Sequence, residues 1–290
     1  MSQGASAKIG LVVEGGGMKC AYSAGILDRL IDEGITFDYA VGVSAGSANA
    51  ISFLAGQRGR ALRFYTDHIH EPGYFGFKSW LTTGDLFGLQ YIYGTLSNEG
   101  GADALDFPAI LANPCVFEAV ATDAATGKPH YFTKADMGPR DFRAIMASSA
   151  IPAACRPVEI GGRRYFDGGI SDSIPVERAL AQGCDKLVVV LSKTRDYYKR
   201  PEAHKALYHL LCHKYPKAVE DLDRRHLMYR ACQARTYELE SQGTAFVFAS
   251  TEPIDIGTYT MDVDKNQALY DRALADFDQR QGELMEFLRA

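Results

Sequence analysis

The segment Gly42-Val43-Ser44-Ala45-Gly46 follows a mostly apolar run, Phe37–Val43, and leads into a helix-like stretch of small and apolar residues, Ala45–Leu54. A serine on a sharp turn between a strand and a helix restricts the architectures open to the chain. The glycines let the turn close where a Cβ would clash, and the hydroxyl is lifted above the edge of a sheet. The same sequence of events occurs upstream. Ile9–Val13 is a continuous apolar run that enters Gly15-Gly16-Gly17, as expected of a strand covered on both faces. Met18–Glu33 then carries apolar residues at helical spacing and stops at Gly34. The opening is therefore β-α-β-α, which predicts an α/β fold with a mainly parallel sheet between helical layers.

Further along, Tyr74–Gly94 is rich in aromatic residues and glycine and reads as loops and short helices that wall a pocket, touch a membrane interface or pack as a cap. Val116–Thr122 and Lys128–Phe132 read as strands joined by a turn, and Phe142–Ala150 as a helix ended by Pro152. Val158–Phe166 holds a hairpin signal at Gly161-Gly162. Leu187–Ser192 reads as a buried strand, followed by helices through Leu239, a strand at Ala245–Ala249 and a last helix from Asn266 to Leu288. No repeat or low-complexity linker is evident. The composition shift near Thr194 divides residues 1–195, the motif-bearing part, from a mostly helical extension, 196–290, that packs on it.

The 290 residues, 47% of them hydrophobic, suffice for a large core. A net charge of −5 argues against a nucleic-acid partner. Lys193–Arg235, however, carries eleven Lys/Arg against five Asp/Glu, a local +6. Such a run is either a solvated helical face or a surface for anionic lipid. The six cysteines form no C-x-x-C pair, and the start Met1–Ala7 is short and polar, unlike a signal peptide. Reduced thiols in a cytoplasmic protein are the expectation. No apolar stretch is long enough to span a bilayer, so membrane contact would be peripheral.

Three elements carry chemistry. Ser44 is placed as a nucleophile. Gly15-Gly16-Gly17-Met18-Lys19 lies between a strand and a helix, where bare backbone N–H groups suit a phosphate or an oxyanion. It matches neither a Walker loop nor a dinucleotide fingerprint, because Cys20 stands where that fingerprint needs glycine. Lys19 occupies a helix start, where a cation is disfavoured, which points to a substrate-binding task. Asp167-Gly168-Gly169 offers a carboxylate on a tight loop. Burial in an apolar cleft would raise its pKa and fit it to take a proton from a hydroxyl. His204, His209, His213 and His226 could formally complete a Ser-Asp-His set, but they lie in the basic segment without a strand-end turn to present them. His209 and His213 share a helix face without a third metal ligand, so the pattern calls for no metal.

Taken in order, these elements resemble the patatin-like phospholipase family, whose pattern is G-G-G-x-[RK]-G, then G-x-S-x-G, then D-G-[GA]. Ala147-Ser148-Ser149-Ala150-Ile151-Pro152 resembles a fourth family segment, A-S-x-A-x-P, and the resemblance spans roughly Lys8 to Ser192. The tail resembles a bacterial subgroup. The resemblance implies a three-layer α/β/α fold, Ser44 as nucleophile and Asp167 as sole base. It further implies an oxyanion hole from the N–H groups of Gly15, Gly16, Gly17 and Met18, with Lys19 in the basic position. Cys20 departs from the family's glycine. The implied activity is hydrolysis of a carboxylic ester of a lipid, without cofactor. A non-lipid esterase or thioesterase, and a catalytically silent lipid or anion binder, use the same elements.

Overall fold

Apolar runs without alternation become the middle of a sheet that is covered on both faces. In the computed structural model, which describes residues 7–290, β1 (Ile9–Val13) and β2 (Tyr39–Val43) pair in parallel with Val13 opposite Gly42. Met1–Ser6, most of the polar start, lie outside the described residues. α1 (Ala21–Asp32) connects the two strands through a 3-10 turn at Gly17–Cys20. After β2 come α2 (Ala45–Leu54), α3 (Arg60–Arg63), α4 (Phe77–Thr83), α5 (Leu89–Tyr91) and α6 (Phe107–Ala112). β3 (Val116–Asp123) and β4 (Pro129–Thr133) are antiparallel, and α7 (Arg143–Ser148) follows. β5 (Val158–Ile160) and β6 (Arg163–Asp167) form the hairpin read at Gly161-Gly162, both at positive φ. The chain continues through α8 (Val176–Ala181), β7 (Lys186–Val190), α9 (Lys205–Leu211), α10 (Pro216–Ser241), β8 (Ala245–Phe248) and α11 (Val263–Arg289).

The strands form a single sheet in the order β5-β6-β3-β2-β1-β7-β8, with β4 also on β3. The five strands from β3 to β8 along this path are parallel, while β4, β5 and β6 are antiparallel. Side-chain alternation builds three layers. Leu11 and Val13 face a core that includes Ala24 and Leu27 of α1, Ala50 of α2, Ile145 of α7 and Phe277 of α11. Val12, Val41 and Val189 face the opposite core, with Ala179 of α8 and Tyr229 and Leu239 of α10. The expected α/β/α architecture is therefore the observed one.

The C-terminal third adds β8 to the sheet beside β7 and lays α11 on α1. That contact is close because Gly25 has no side chain: a Cβ there would stand 2.7 Å from the Ala273 Cβ. Two tyrosine–carboxylate bonds pin it, Tyr22 to Asp276 and Tyr270 to Asp28, each 2.8 Å. The basic segment differs from its sequence reading at the start. Residues 194–204 are not helical, and α9 begins only after His204, which takes φ 59°. Pro201 interrupts helical hydrogen bonding there, and Lys199 and Glu202 pair with each other instead.

Topology brings the functional loops together. The chain fills the sheet from β1 toward β3, then crosses to the other side of β1 for β7. Ligands in such sheets bind beyond the carboxyl ends of the strands, next to this reversal. The loops after β1, β2 and β7 meet there.

Candidate active site

Ser44 follows β2 directly and has φ 55° and ψ −132°. For a residue with a side chain this backbone costs about 1–3 kcal/mol and persists only when neighbours enforce it. They do. The Ser44 N–H donates to the hydroxyl of fully buried Ser148 at 2.8 Å, and the Ser44 carbonyl accepts from the Ser47 N–H at 2.9 Å. The two motif glycines contribute space rather than unusual dihedrals, since neither has positive φ. A Cβ on Gly42 would stand 2.5 Å from Ser47 Cα, and one on Gly46 would stand 2.5 Å from the Glu14 carbonyl oxygen. Strand and helix can close around Ser44 only with both side chains missing.

The glycine loop leans on this turn. A Cβ on Gly15 would lie 2.9 Å from the Ser44 Cβ, and one on Gly16 would collide with Ser192 Oγ. Gly17 takes φ 60°, and there a Cβ would stand 2.5 Å from the Thr258 carbonyl oxygen. Below the loop, buried Glu14 pairs with Lys193 and accepts the Ser192 N–H at 2.7 Å. Lys193 also donates to the Gly15 carbonyl at 3.3 Å, so one buried ion pair fixes the loop from beneath. The N–H groups of Gly15, Gly16 and Gly17 donate to no backbone carbonyl outside the loop among the described residues. The Met18 N–H donates to the Thr258 carbonyl at 3.3 Å. Cys20 is fully buried and turns its thiol to the Glu14 carbonyl at 3.5 Å, filling the space behind the loop.

Asp167 ends β6, opposite Ala121 of β3. Its N–H donates to the Ala150 carbonyl at 2.8 Å, and its carbonyl accepts from Thr122 Oγ at 2.9 Å. Its carboxylate accepts the Gly169 N–H at 2.7 Å and interacts with the Ser44 hydroxyl. A Cβ on Gly168 would collide with the Val120 carbonyl, so this turn too depends on glycine. Burial pushes the Asp167 carboxyl above the ordinary range; the Ser44 hydroxyl, the Arg225 guanidinium, the Gly169 N–H and Lys193 hold it partly back. Arg225, on α10, donates through Nε to the Gly169 carbonyl at 2.7 Å and through Nη1 to Glu202 at 3.0 Å. It clamps the Asp-Gly-Gly turn from the far end of the chain.

Ser44, Asp167, Gly15–Gly17, Lys19 and Arg225 line a common cavity of about 440 Å³. Lys19 lies 5.7 Å from the centre of the Tyr197 ring and makes no ion pair among the described residues. Burial, then the Lys193 charge, lowers its pKa. His204 also lines the cavity, but the main groups acting on the Asp167 carboxyl among the described residues are Ser44, Arg225, Gly169 and Lys193. His209 binds Asp223 at 3.0 Å, and His213 binds the Leu210 carbonyl at 2.8 Å. Among the described residues no group of three His, Cys, Asp or Glu side chains is placed to hold a metal ion.

Strained serine turn, glycine loop and buried carboxylate thus meet in one cavity beside the carboxyl ends of the parallel strands. The sequence model of the family described as patatin-like phospholipase matches residues 11–180, which include all three, and the chain belongs to that family. A second model, a domain of unknown function (DUF6363), matches residues 215–289. The uncharacterised protein YjjU of Escherichia coli (strain K12) is 30% identical over 202 residues, covering 69% of this chain and 56% of YjjU. The uncharacterised NTE family protein Mb1092c of Mycobacterium bovis is 40% identical over 82 residues, 28% of this chain and 22% of that protein. The chain thus spans about half, or less, of the length of these relatives. Among solved structures, VipD from Legionella pneumophila aligns with a TM-score of 0.45 at 11% identity, covering 92% of this chain and 67% of VipD. Human GIVD cytosolic phospholipase A2 aligns with a TM-score of 0.45 at 12% identity, covering 98% and 59%.

Proposed function

We propose that this chain hydrolyses carboxylic esters of lipids through an acyl-enzyme on Ser44. A single observation supports the reading: a serine held in strained backbone turns its hydroxyl to a buried carboxylate, and among the described residues no histidine is one of the main groups acting on that carboxylate. Asp167 takes the Ser44 proton as the oxygen attacks the ester carbonyl, and returns it to the leaving alcohol. It then takes a proton from water, whose oxygen attacks the acyl-enzyme, and hands that proton back to Ser44. The negative charge on the tetrahedral intermediate falls to the N–H groups of Gly15, Gly16 and Gly17, joined by that of Met18 when it turns from the Thr258 carbonyl, on a loop held by the Glu14–Lys193 pair below. Lys19, an unpaired cation at the wall of the cavity, is placed to contact the substrate beyond its ester.

A lipid partner is supported by the surface around the cavity. Leu207, Leu210 and Leu211 of α9 are 53%, 69% and 43% exposed, and Phe77 and Leu81 of α4 are 67% and 63% exposed. Leu207 lines the cavity with Ser44, and Leu81 and Leu211 line an adjoining groove with Arg156, Arg164 and Lys214 against one acid, Glu159. An apolar ridge with a cationic border that opens onto the active-site cavity matches an anionic membrane surface. The basic segment contributes less than its charge suggests. Of its eleven cations, Lys193, Arg195, Lys199, Lys205, Lys217, Arg224, Arg225 and Arg235 pair with carboxylates. No helix among the described residues is long and apolar enough to cross a membrane. We propose a cytoplasmic location, which the six free cysteines support, with peripheral membrane contact.

A fluorophosphonate probe tests the reading. It should label wild-type protein and leave Ser44→Ala, folded by circular dichroism, unlabelled and without turnover on a lipid-ester panel. No labelling of the wild type would leave a silent binder; labelling with turnover of simple esters or thioesters alone would remove the lipid preference.

A further inference from the structure

Behind Ser44 lies a second, narrow cavity of about 70 Å³. Ala45, Ala48, Asn49 and Ser52 of α2 line one wall at helical spacing, so the cavity follows the helix away from the serine. From Ser44 to Ser52 the helix advances about 12 Å at roughly 1.5 Å per residue, the reach of an extended chain of about nine carbons. The opposite wall is aromatic, with Phe64, Tyr74, Phe87 and Tyr93. The far end is not apolar. It is closed by Ser52, Ser97 and Arg60, whose side chain is 3% exposed.

Arg60 is an unusual residue to find at the end of an acyl-sized slot. It donates through Nε and Nη2 to the Asp103 carbonyl at 3.0 and 2.7 Å, through Nη2 to Ser97 Oγ at 2.9 Å, and through Nη1 to Ser52 Oγ at 2.8 Å. Both serine hydroxyls give their own protons elsewhere, Ser52 to the Ala48 carbonyl at 2.9 Å and Ser97 to the Ile92 carbonyl at 2.8 Å. A guanidinium has five N–H donors, and these contacts use four. No carboxylate lies within ion-pair distance of Arg60 among the described residues, because the Asp103 carboxylate is taken by Arg63 and His68. The guanidinium rests on the Phe64 ring at 4.7 Å, and burial lowers its pKa to about 10. The Asp103 carboxylate, bonded to Arg63 and His68, supports the Arg60 charge only through space. A buried cation with a spare donor and no directly bonded anion is costly, and an incoming anion relieves that cost. Other polar groups on the walls bond among themselves: Tyr65 donates to Asn49 Oδ1 at 3.0 Å, Asn49 Nδ2 donates to Cys20 O at 2.8 Å and Ser23 Oγ at 2.9 Å, and the Tyr93 and Ser149 hydroxyls bond each other at 3.1 Å.

We propose that this cavity is the acyl subsite and that Arg60 reads the far end of the chain, selecting acyl groups of medium length that end in an oxygen acceptor, above all a carboxylate, over plain alkyl chains. The proposal rests on the acyl-hydrolase reading of Ser44. An alkyl terminus at this depth would cover the guanidinium without satisfying it, and a chain much longer than nine carbons meets the closed end. An ω-carboxylate would instead form a charge-assisted hydrogen bond with the spare donor.

The test compares kcat/KM of the wild-type chain on 4-nitrophenyl esters of butanoic, nonanoic and hexadecanoic acid and on the 4-nitrophenyl monoester of nonanedioic acid. The expected result is that the nonanedioic monoester exceeds nonanoate by about tenfold, as one charge-assisted contact predicts, and that both exceed hexadecanoate. Arg60→Gln should collapse the ratio between the two nine-carbon esters to near one. Because Arg60 also ties the Ser97–Asp103 loop to α2, the wild-type panel decides the question even where that variant does not fold. Equal rates on the two nine-carbon esters, or a maximum on hexadecanoate, would overturn the subsite while leaving the hydrolase reading intact. Absence of any hydrolysis, together with no fluorophosphonate labelling, would remove both.

Discussion

Replacing Asp167 by asparagine separates what the carboxylate does for chemistry from what it does to the fold. The side chain is 5% exposed, and burial raises its pKa. A carboxyl whose folded pKa lies above its unfolded value opposes folding when ionised; that penalty stands at neutral pH and fades as pH falls through the folded pKa. Asparagine keeps an oxygen for the Gly169 N–H at Oδ1. Arg225 keeps the Gly169 carbonyl and Glu202, so no guanidinium is orphaned. The variant should therefore be more stable at neutral pH. For a chain of this size that moves the melting midpoint upward by roughly 2–4 °C per kcal/mol, with the difference vanishing in acid. Turnover should fall by about 10⁴ to 10⁶, the range seen when one member of a nucleophile–base set is removed. Melting curves and ester hydrolysis at a series of pH values measure both effects on one preparation. A variant that keeps turnover within tenfold of wild type would refute Asp167 as the base. One that melts lower at neutral pH would refute the argument that its charge is held at a cost.

Ser44→Gly should also raise the melting midpoint, because glycine accepts φ 55° without strain, while probe labelling disappears; a lower midpoint would show that the strain was misjudged. Arg225→Met removes a charge that holds the Asp167 pKa down, so the acidic limb of the pH–kcat/KM profile should move to higher pH, and an unmoved limb would place Arg225 outside the site's electrostatics. Leu210→Glu, at a position 69% exposed, should reduce co-sedimentation with anionic vesicles and hydrolysis of vesicle lipid while a soluble ester is turned over as before. Unchanged vesicle binding would assign the apolar ridge to something other than lipid.

The parts of this molecule that were legible in sequence are those whose cause is local. β1 and β2 announce themselves as unbroken apolar runs because both of their faces are buried, and Gly42 and Gly46 announce the turn because two side chains would not fit. The hairpin at Gly161-Gly162 is equally local. Arg225 was not legible: it reaches the Asp-Gly-Gly turn from α10, 56 residues after the carbonyl it binds, and a helix arginine has no pattern that tells a clamp from a surface charge. Ser148 lay within a segment whose resemblance was visible, but its hydrogen bond to the Ser44 backbone depends on how α7 meets the turn. The charge of the basic segment was countable, while its partners were not, since Glu14, Glu177 and Glu240 come from other elements or from its end. Arg60 escaped for the same reason: its meaning lies in the Asp103 carboxylate being bonded to Arg63 and His68 instead.

The placement of β8 has a consequence for solubility. β7 is Lys-Leu-Val-Val-Val, and four of its five residues are wholly buried. Left open, its outer side would present a row of unpaired backbone groups between apolar side chains, a template for pairing with other molecules. β8 closes that row, and its own outer side is not left bare: the guanidiniums of Arg195 and Arg280 both donate to the Val247 carbonyl. The last strand of the sheet thus ends in positive charge rather than in free carbonyls. The segment that follows the motif-bearing part of the chain thereby covers the apolar edge that β7 would otherwise offer to other molecules.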